Sequence, residues 1–323
     1  VIVRNDASSR FNSASNSAFF PAFSLGWRLS DESFMQGASF IDDFKLRYGW
    51  GQTGNQEIGD YNSYTQFTAG NFQAAYPIDG SSGSNTPGFA ASQLGNPNAR
   101  WETTTSNNIG FDTYMFDSRL SFEFDLWNRS TTDLLLNVPI PYSAGDAGAP
   151  AVNIGEMYNE GMDINLNWSD QVGDFGYSIG GNFSTYRNEI KKLDDGETPI
   201  FGQSRRVPSL TITEVGSPIS MFYGFQVEGI FQSQAEADAW ASYPGYNAPG
   251  KFKFADTNGD GQISDADRTQ IGNPHPDFVY GINLNLNYKN LALNIFGNGS
   301  VGNDIFNYVR YFADFNTFQG NRS

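Results

Sequence analysis

Along much of this chain apolar and polar residues take strict turns. Phe23, Leu25, Trp27 and Leu29 share one face of residues 20–30, with Ser24, Gly26, Arg28 and Ser30 on the other. Residues 44–50 repeat the pattern, Phe44, Leu46, Tyr48 and Trp50 alternating with Lys45, Arg47 and Gly49. Period two is the strand signature, because successive side chains point to opposite faces of a sheet. A hairpin is predicted where Ile109, Phe111 and Met115 lead to Asp117-Ser118 and Leu120, Phe122, Phe124 and Leu126 return. A second joins Met162, Ile164, Leu166 and Trp168 to Phe175, Tyr177, Ile179 and Phe183 through Ser169–Gly173. The cleanest run is Phe278, Tyr280, Ile282, Leu284, Leu286 and Tyr288, followed after Lys289-Asn290 by Leu291, Leu293 and Ile295.

Between these runs the pattern lapses. Residues 51–97 read as long loops with one or two strands near 64–72, and helix is scarce. Ser233 with Glu236 forms a capping box for a short loop helix, and residues 304–312 carry apolar positions at helical spacing.

The strands run about ten residues, the length that crosses a tilted path through a bilayer. Short turns (Asp117-Ser118, Lys289-Asn290) alternate with long polar connections (129–156, 187–217). Outer-membrane barrels have this asymmetry, with short periplasmic turns and long external loops. Trp27, Trp50, Trp101, Trp127, Trp168 and Tyr288 fall where interfacial girdles would place aromatic residues. The fold expected is therefore all-β, a partial transmembrane antiparallel β-barrel. The alternative from pattern alone is a large β-sandwich or extended sheet.

Composition fits the first reading. The 323 residues include 28 Phe, 16 Tyr and 35 Gly but only 17% charged residues. Mean hydropathy is nevertheless −0.45, as expected when aromatic side chains alternate with small polar ones. The net charge of −16 leaves no basic stripe to neutralise phosphates, so nucleic acid is not an expected partner. No run of about 18 apolar residues exists for a spanning helix, a test that β-strands escape. With no cysteine, disulfides and thiol chemistry are excluded.

One stretch carries legible metal chemistry. Residues 256–267 read DTNGDGQISDAD, with Asp256, Asn258 and Asp260 at positions 1, 3 and 5 of a calcium loop. Gly261 occupies the sharp turn at position 6. Gln262 offers a carbonyl, Ser264 sits at position 9 and Asp267 closes at position 12, where Asp replaces the usual Glu. The alternative is an Asp/Asn/Gly-rich turn with no metal.

Catalytic chemistry is not found. His275, the single histidine, stands between two prolines with no nucleophile motif. Gly297–Gly302 matches G-x-G-x-x-G but lacks a βαβ series, and is expected to be a barrel-rim turn. Asn128, Asn167 and Asn182 open N-x-S triplets on predicted strands, and Asp194-Asp195 is an ordinary acidic pair. No enzyme emerges.

Several stretches together resemble the SusC/RagA family of TonB-linked outer-membrane transporters. They are Phe20-Pro21 through Gly26-Trp27-Arg28, Leu46–Gln56, Asn96–Thr103, Asn108–Asp112, Gly155–Gly161, and the calcium-type loop running into Ile271–Pro274. The resemblance covers nearly the whole chain. It implies that residues 1–323 are the barrel portion of one domain, roughly half of a 22-stranded barrel, with the 256–267 loop inside an external loop. Such proteins also carry a signal peptide, an N-terminal extension, a TonB-contacting segment and a plug domain, which the sequence lacks. Bacterial barrels of this kind usually end on a strand with an aromatic final residue, whereas the sequence ends Asn321-Arg322-Ser323. An internal piece of a longer polypeptide is expected, and its two open edges would make it unstable alone.

The implied function is import of a large nutrient, an oligosaccharide or peptide, across the bacterial outer membrane. The implied partners are a SusD-like surface lipoprotein, TonB, and outer-membrane lipid including lipopolysaccharide; Ca2+ would be structural. A passive porin or structural or secretion-complex barrel, and a secreted β-rich glycan-binding protein or glycosidase, are the alternatives.

Overall fold

The structure is a computed structural model that describes residues 1–69, 75, 77–78, 80, 86–137, 140, 143, 145, 147–193, 198–202 and 209–310. The chain divides into two compact units. The first comprises Val1–Ile200, Glu214–Ser217 and Tyr280–Asn298; the second comprises Phe201–Thr213, Pro218–Val279 and the chain from Gly299 onward.

The central feature is a 9-stranded sheet. Its strands, in spatial and chain order, are Ile2–Ala7, Ser17–Arg28, Ile41–Asn55, Glu102–Met115, Leu120–Thr132, Glu156–Val172, Phe175–Lys192, Phe278–Tyr288 and Leu291–Val301. This is an up-and-down meander, each strand pairing with the next long strand in the chain. Among the described residues this sheet has nine strands, against the roughly eleven of half a 22-stranded barrel.

Alternation of direction gathers the connections by length. The turns 116–119, 173–174 and 289–290 lie at one end, together with the 3-10 turns Leu29–Asp31 and Ser33–Met35. Residues 8–16, 56–101, 133–155 and 193–277 leave from the other. The expected asymmetry of short turns and long connections is thus present.

The strands outrun the expectation of ten residues. Glu156–Val172 has 17 residues and Phe175–Lys192 has 18. At ~3.4 Å per residue the longer one extends about 60 Å, well beyond a hydrocarbon layer. The Ser169–Gly173 connection is corrected to a two-residue turn, Gly173-Asp174, because pairing continues from Ser169↔Ser178 to Val172↔Phe175. Polar side chains do not interrupt a backbone ladder, so composition misplaced the turn. Gly173 has φ 61°, the left-handed value that the first central position of a type II′ hairpin requires.

Within the long connections of the first unit, Gln66–Ala69 pairs with Phe89–Gln93 and Leu135–Asn137 with Ala151–Asn153. Residues 70–72 of the strand region expected near 64–72 lie outside the described residues. The buried apolar cluster of this unit is Phe11, Phe20, Ile58, Ala99, Trp101 and Ala151. Trp101 is therefore a core residue, 7% exposed, and not part of an interfacial girdle. Asn62, 1% exposed, holds this core to its neighbours. Its Oδ1 accepts from Ala151 N at 3.0 Å and its Nδ2 donates to Ala151 O at 3.3 Å, so both halves of the buried amide are satisfied.

In the second unit Thr211–Thr213, Met221–Phe225 and Arg268–Gly272 pair antiparallel, as do Val227–Ile230 and Phe252–Phe254. The predicted helix is Gln234–Ala239. Ser233 Oγ accepts from Glu236 N at 3.2 Å, while Glu236 Oε2 accepts from Gln232 N at 2.9 Å. The Gly297–Gly302 motif is corrected from a turn to strand: Gly297–Val301 complete the last strand, and only Gly302 turns, with φ 90°. Glycines adopt extended backbone as readily as turns, so the motif had no power to separate the two. Tyr308–Arg310 begin a helical turn, residues 304–307 before it have no regular structure, and residues 311–312 lie outside the described residues.

Candidate functional site

The cross-strand register sorts the long strands into two faces. On one, apolar side chains line up in rows across the sheet. One row runs Trp27, Leu46, Phe111, Phe124, Ile164 and Phe183. The next, nearer the short turns, runs Phe44, Thr113, Phe122, Leu166 and Gly181. Phe111 packs its ring 5.4 Å from Phe44 and 5.7 Å from Phe124. Many of these side chains are open, with Leu25 67%, Ile109 56% and Ile179 50% exposed. A contiguous exposed apolar surface of this kind fits a transmembrane barrel's outward face. Trp27, Trp50 and Trp168 lie on it, as the girdle reading expected.

The opposite face is polar and charged. Arg47 reaches two carboxylates on two neighbouring strands, Asp112 at 2.7 Å and Asp125 at 3.0 Å. Gly110 stands between Arg47 and Asp125 in the register. A Cβ there would lie 2.3 Å from Asp125 Oδ1 and 2.5 Å from Phe124 O, so the ion-pair network requires glycine. Further along, Trp127 Nε1 donates to Asp163 Oδ2 at 2.8 Å and Asn165 Nδ2 to Glu123 Oε2 at 3.3 Å. Trp127 therefore belongs to the polar face, correcting its assignment to the outer girdle. Its place in the period-two alternation, beside Leu126 and Asn128, carries that information. Asn128, Asn167 and Asn182 lie on strands as expected.

The calcium-type loop is wound by its own side chains. Asp256 Oδ1 accepts from Gly259 N at 2.8 Å and Asp260 N at 3.2 Å, and Oδ2 accepts from Gly261 N at 2.8 Å. Asn258 Oδ1 accepts from Asp260 N, and Asp260 Oδ1 from Gln262 N at 2.7 Å. Gly259 and Gly261 have φ 74° and 79°, values that a tight Asx-turn series demands. At position 8, Ile263 is buried, and its N–H donates to Ser242 O at 2.8 Å while Ser242 N donates to Gly261 O at 2.9 Å.

Asp267 is fully buried. Its Oδ1 accepts from Thr257 N at 3.0 Å and its Oδ2 from Ser264 N at 2.8 Å, clasping the two ends of the loop. The hydrogen bond from Ser264 N, reinforced by those from Thr257 and Asn258, holds the Asp267 carboxyl below the usual carboxylate range against the opposing effect of burial. Asp256, Asn258 and Asp260 are thus brought together in one short turn, with Gln262 following directly. Ser264 serves as an N-cap whose Oγ accepts from Ala266 N at 3.2 Å. Among the described residues no three His, Cys, Asp or Glu side chains converge as a ready metal centre. Oxygens of suitable hardness at positions 1, 3 and 5 fit a calcium ion; the closing carboxylate already serves the backbone.

Sequence reasoning passed over an aromatic group in the same unit. Phe225 and Phe254 lie 5.1 Å apart, Tyr243 and Tyr246 5.0 Å, and Tyr246 and Phe254 5.5 Å. Lys253 Nζ stands 3.8 Å over the Trp240 ring, and Arg268 lies 5.0 Å over Phe225. The density of aromatic residues from Trp240 to Phe254 was the available signal. His275 is a structural residue here, with Nε2–H donating to Ile219 O at 2.8 Å. The pair Asp194-Asp195 lies outside the described residues.

Comparison with known proteins agrees with this architecture. The family described as TonB dependent receptor-like, beta-barrel matches residues 3–299. The TonB-dependent receptor P3 of Formosa agariphila is 36% identical over 311 residues, covering 95% of this chain and 30% of that protein. The TonB-dependent receptor SusC of Bacteroides thetaiotaomicron is 30% identical, with 96% and 30% covered. Among solved structures, that of the RagAB peptide transporter superposes with a TM-score of 0.78 at 30% identity, over 97% of this chain and 32% of that one. The chain thus spans about 30% of the length of the curated relatives it matches. With the family match across the sheet and the SusC and RagAB likenesses along nearly all of it, the chain belongs to the TonB-dependent receptor-like β-barrel family.

Proposed function

We propose that this chain forms part of the wall of an outer-membrane importer for large nutrients, oligosaccharides or peptides, driven through TonB and covered by a SusD-like lipoprotein. The observation that carries the reading is the two-faced meander: apolar rows on one side, the Arg47–Asp112–Asp125 network and amide-rich rows on the other. An apolar outer band and a polar interior are what a strand-built passage through lipid requires. The short turns then face the periplasm and the long connections the exterior. The likeness to the RagAB peptide transporter supports a peptide cargo.

Uptake of labelled peptides and oligosaccharides by the native bacterium tests this, with the gene intact or deleted and the membrane energised or uncoupled. The proposal expects uptake of one class to be lost on deletion and on uncoupling. Uptake that survives uncoupling would point to a passive porin.

The 256–267 loop is proposed as a structural calcium site. Asp256, Asn258 and Asp260 would supply side-chain oxygens and Gln262 its carbonyl, with Ser264 at the ninth position, through water, and Asp267 at the twelfth offering a remaining carboxylate lone pair while it keeps its bonds from Thr257 N and Ser264 N. The ion would pin a loop whose turns are already wound. Added calcium should protect the loop from limited proteolysis and raise the melting temperature. Chelation that changes neither removes the ion from the account.

A further inference from the structure

The strand Leu120–Thr132 carries Glu123, Asp125, Trp127 and Arg129 in alternation, all on the polar face. The two in the middle are already engaged. Asp125 pairs with Arg47 at 3.0 Å, and Trp127 Nε1 donates to Asp163 Oδ2 at 2.8 Å. The two at the ends keep their charges unpaired among the described residues. Glu123 is exposed and accepts only from Asn165 Nδ2. Arg129 is exposed and has neither an ion pair nor a side-chain hydrogen bond.

Arg129 is nonetheless held in place. Its guanidinium carbon lies 4.8 Å from the centre of the Trp127 ring. That ring is fixed by Asp163 at its Nε1 and lies close over Gly161, where a Cβ would come within 2.5 Å of Trp127 Cζ2. A guanidinium held by an indole face rather than by an acceptor keeps its N–H donors. Its cross-strand partners, Ser106 and Asn159, are uncharged, and Asn159 Oδ1 already accepts from Asn188 Nδ2 at 2.7 Å. The fork is left for a carboxylate that the wall itself does not supply.

The spacing selects the carboxylate. Arg129 and Glu123 stand at the two ends of an extended segment of about 20 Å, at ~3.4 Å per residue. An extended peptide of about six residues spans the same length. Its α-carboxylate and α-ammonium meet opposite charges at the two ends, with the Trp127 ring between. An acidic sugar would satisfy Arg129 and leave Glu123 unpaired. We propose that Arg129 and Glu123 form a subsite for short peptides with free termini. The α-carboxylate sits on Arg129, toward the long connections, and the α-ammonium on Glu123, toward the short turns. The subsite rests on the importer reading above and adds to it the feature of the cargo that the wall recognises.

Retention of hexapeptides by the full-length gene product, purified in mild detergent, tests it. An equimolar mixture of random hexapeptides is offered with both termini free, with the C-terminus amidated or with the N-terminus acetylated. Bound peptide is quantified by mass spectrometry. The wild type should retain the free form about tenfold better than either blocked form, the scale of one charge-assisted contact. Arg129→Gln should abolish the penalty for amidation and keep that for acetylation; Glu123→Gln should do the reverse. Arg129→Lys should restore most of the discrimination against the amide. Heat-modifiable migration reports the folded barrel for each variant. Binding in detergent needs neither TonB nor an energised membrane, so it stands or fails apart from the uptake assay. Equal retention of free and amidated peptides by the wild type, or no retention of either, would overturn the proposal. So would a folded Arg129→Gln variant that still discriminates, or Arg129-dependent retention of an oligouronate in place of peptide.

Discussion

Leu166 and Ile271 are about equally exposed, at 47% and 52%, and each lies on a strand. Their surroundings are not alike. Leu166 sits in an apolar row that continues through Phe122 on one neighbouring strand toward Phe44, with Ile164 and Trp168 above and below it on its own strand. Ile271 sits at a register shift in the Arg268–Gly272 strand, between Gln270 and Gly272, in a small local group with Leu210 and Phe222 rather than in a row that crosses long strands. Single exposed apolar residues are ordinary on any protein surface, whereas continuous rows of them imply an apolar medium or partner. The first unit keeps its apolar residues outward in rows and its ion pairs on the opposite face. The second buries Phe231, Ile212 and Ile263 among its turns and short strands. Exposure alone does not tell a membrane face from a loop surface; continuity across strands does.

The largest expected effect follows from that contrast. Leu166→Arg should destabilise the membrane-inserted barrel by about 2–4 kcal/mol, whereas Ile271→Arg should change stability by less than about 0.5 kcal/mol. Urea titration of the full-length protein folded into liposomes measures both. Equal costs at the two positions would erase the distinction.

Next in size is Asn62→Ala, which leaves the buried N–H of Ala151 without its acceptor, while Ala151 O keeps the hydrogen bond from Asn96 Nδ2 at 3.0 Å. The expected loss is about 1–3 kcal/mol, read by the same titration. Ser233→Ala removes the N-cap of the Gln234–Ala239 helix and should cost about 1 kcal/mol. That loss should register as faster hydrogen exchange at the Glu236 amide, with the long strands unaffected.

The smallest effect is tied to pH. The folded Asp267 carboxyl titrates below its unfolded value of ~3.9, so its stabilising contribution is complete above that value. It fades as pH falls through the depressed folded value. Amide exchange at Thr257 and Ser264, corrected for its intrinsic pH dependence, should stay protected down to pH ~4 and rise only below it. Loss of protection near neutral pH would mean the clasp is held by something other than the carboxylate.

What could be read in the residues alone follows the same division. The alternating runs announced the long strands, because a face that meets lipid and a face that meets water leave a period of two. The turn expected at Asp117-Ser118, which the structure widens to residues 116–119, and the cap at Ser233 were equally legible, each resting on a few adjacent residues. Strand length was underestimated wherever the ladder continues through polar positions, as from Ser169 to Val172. Trp101 entered a core assembled from Phe11, Phe20 and Ile58, contacts that only the folded connections create. Of the candidate site, the wound turn of Asp256, Asn258 and Asp260 was visible because its geometry is local. The clasp by Asp267 depends on backbone donors at both ends of the loop, and the pairing of Ile263 with Ser242 bridges two separate segments. Trp127 and Asp163 are far apart in the chain, and only the sheet brings them together.

The central claim is that one face of the meander meets lipid and the other lines a passage. The described chain contains no cysteine, so labels can be introduced one at a time along Glu156–Val172 in a full-length protein made otherwise cysteine-free. Spin labels at residues 160–169, in liposomes, would be probed by apolar oxygen and by a polar nickel chelate. The account predicts a two-residue alternation, with oxygen favoured at Met162, Ile164, Leu166 and Trp168 and the chelate at Asp163, Asn165 and Asn167. Uniform accessibility, or the opposite phase, would contradict it.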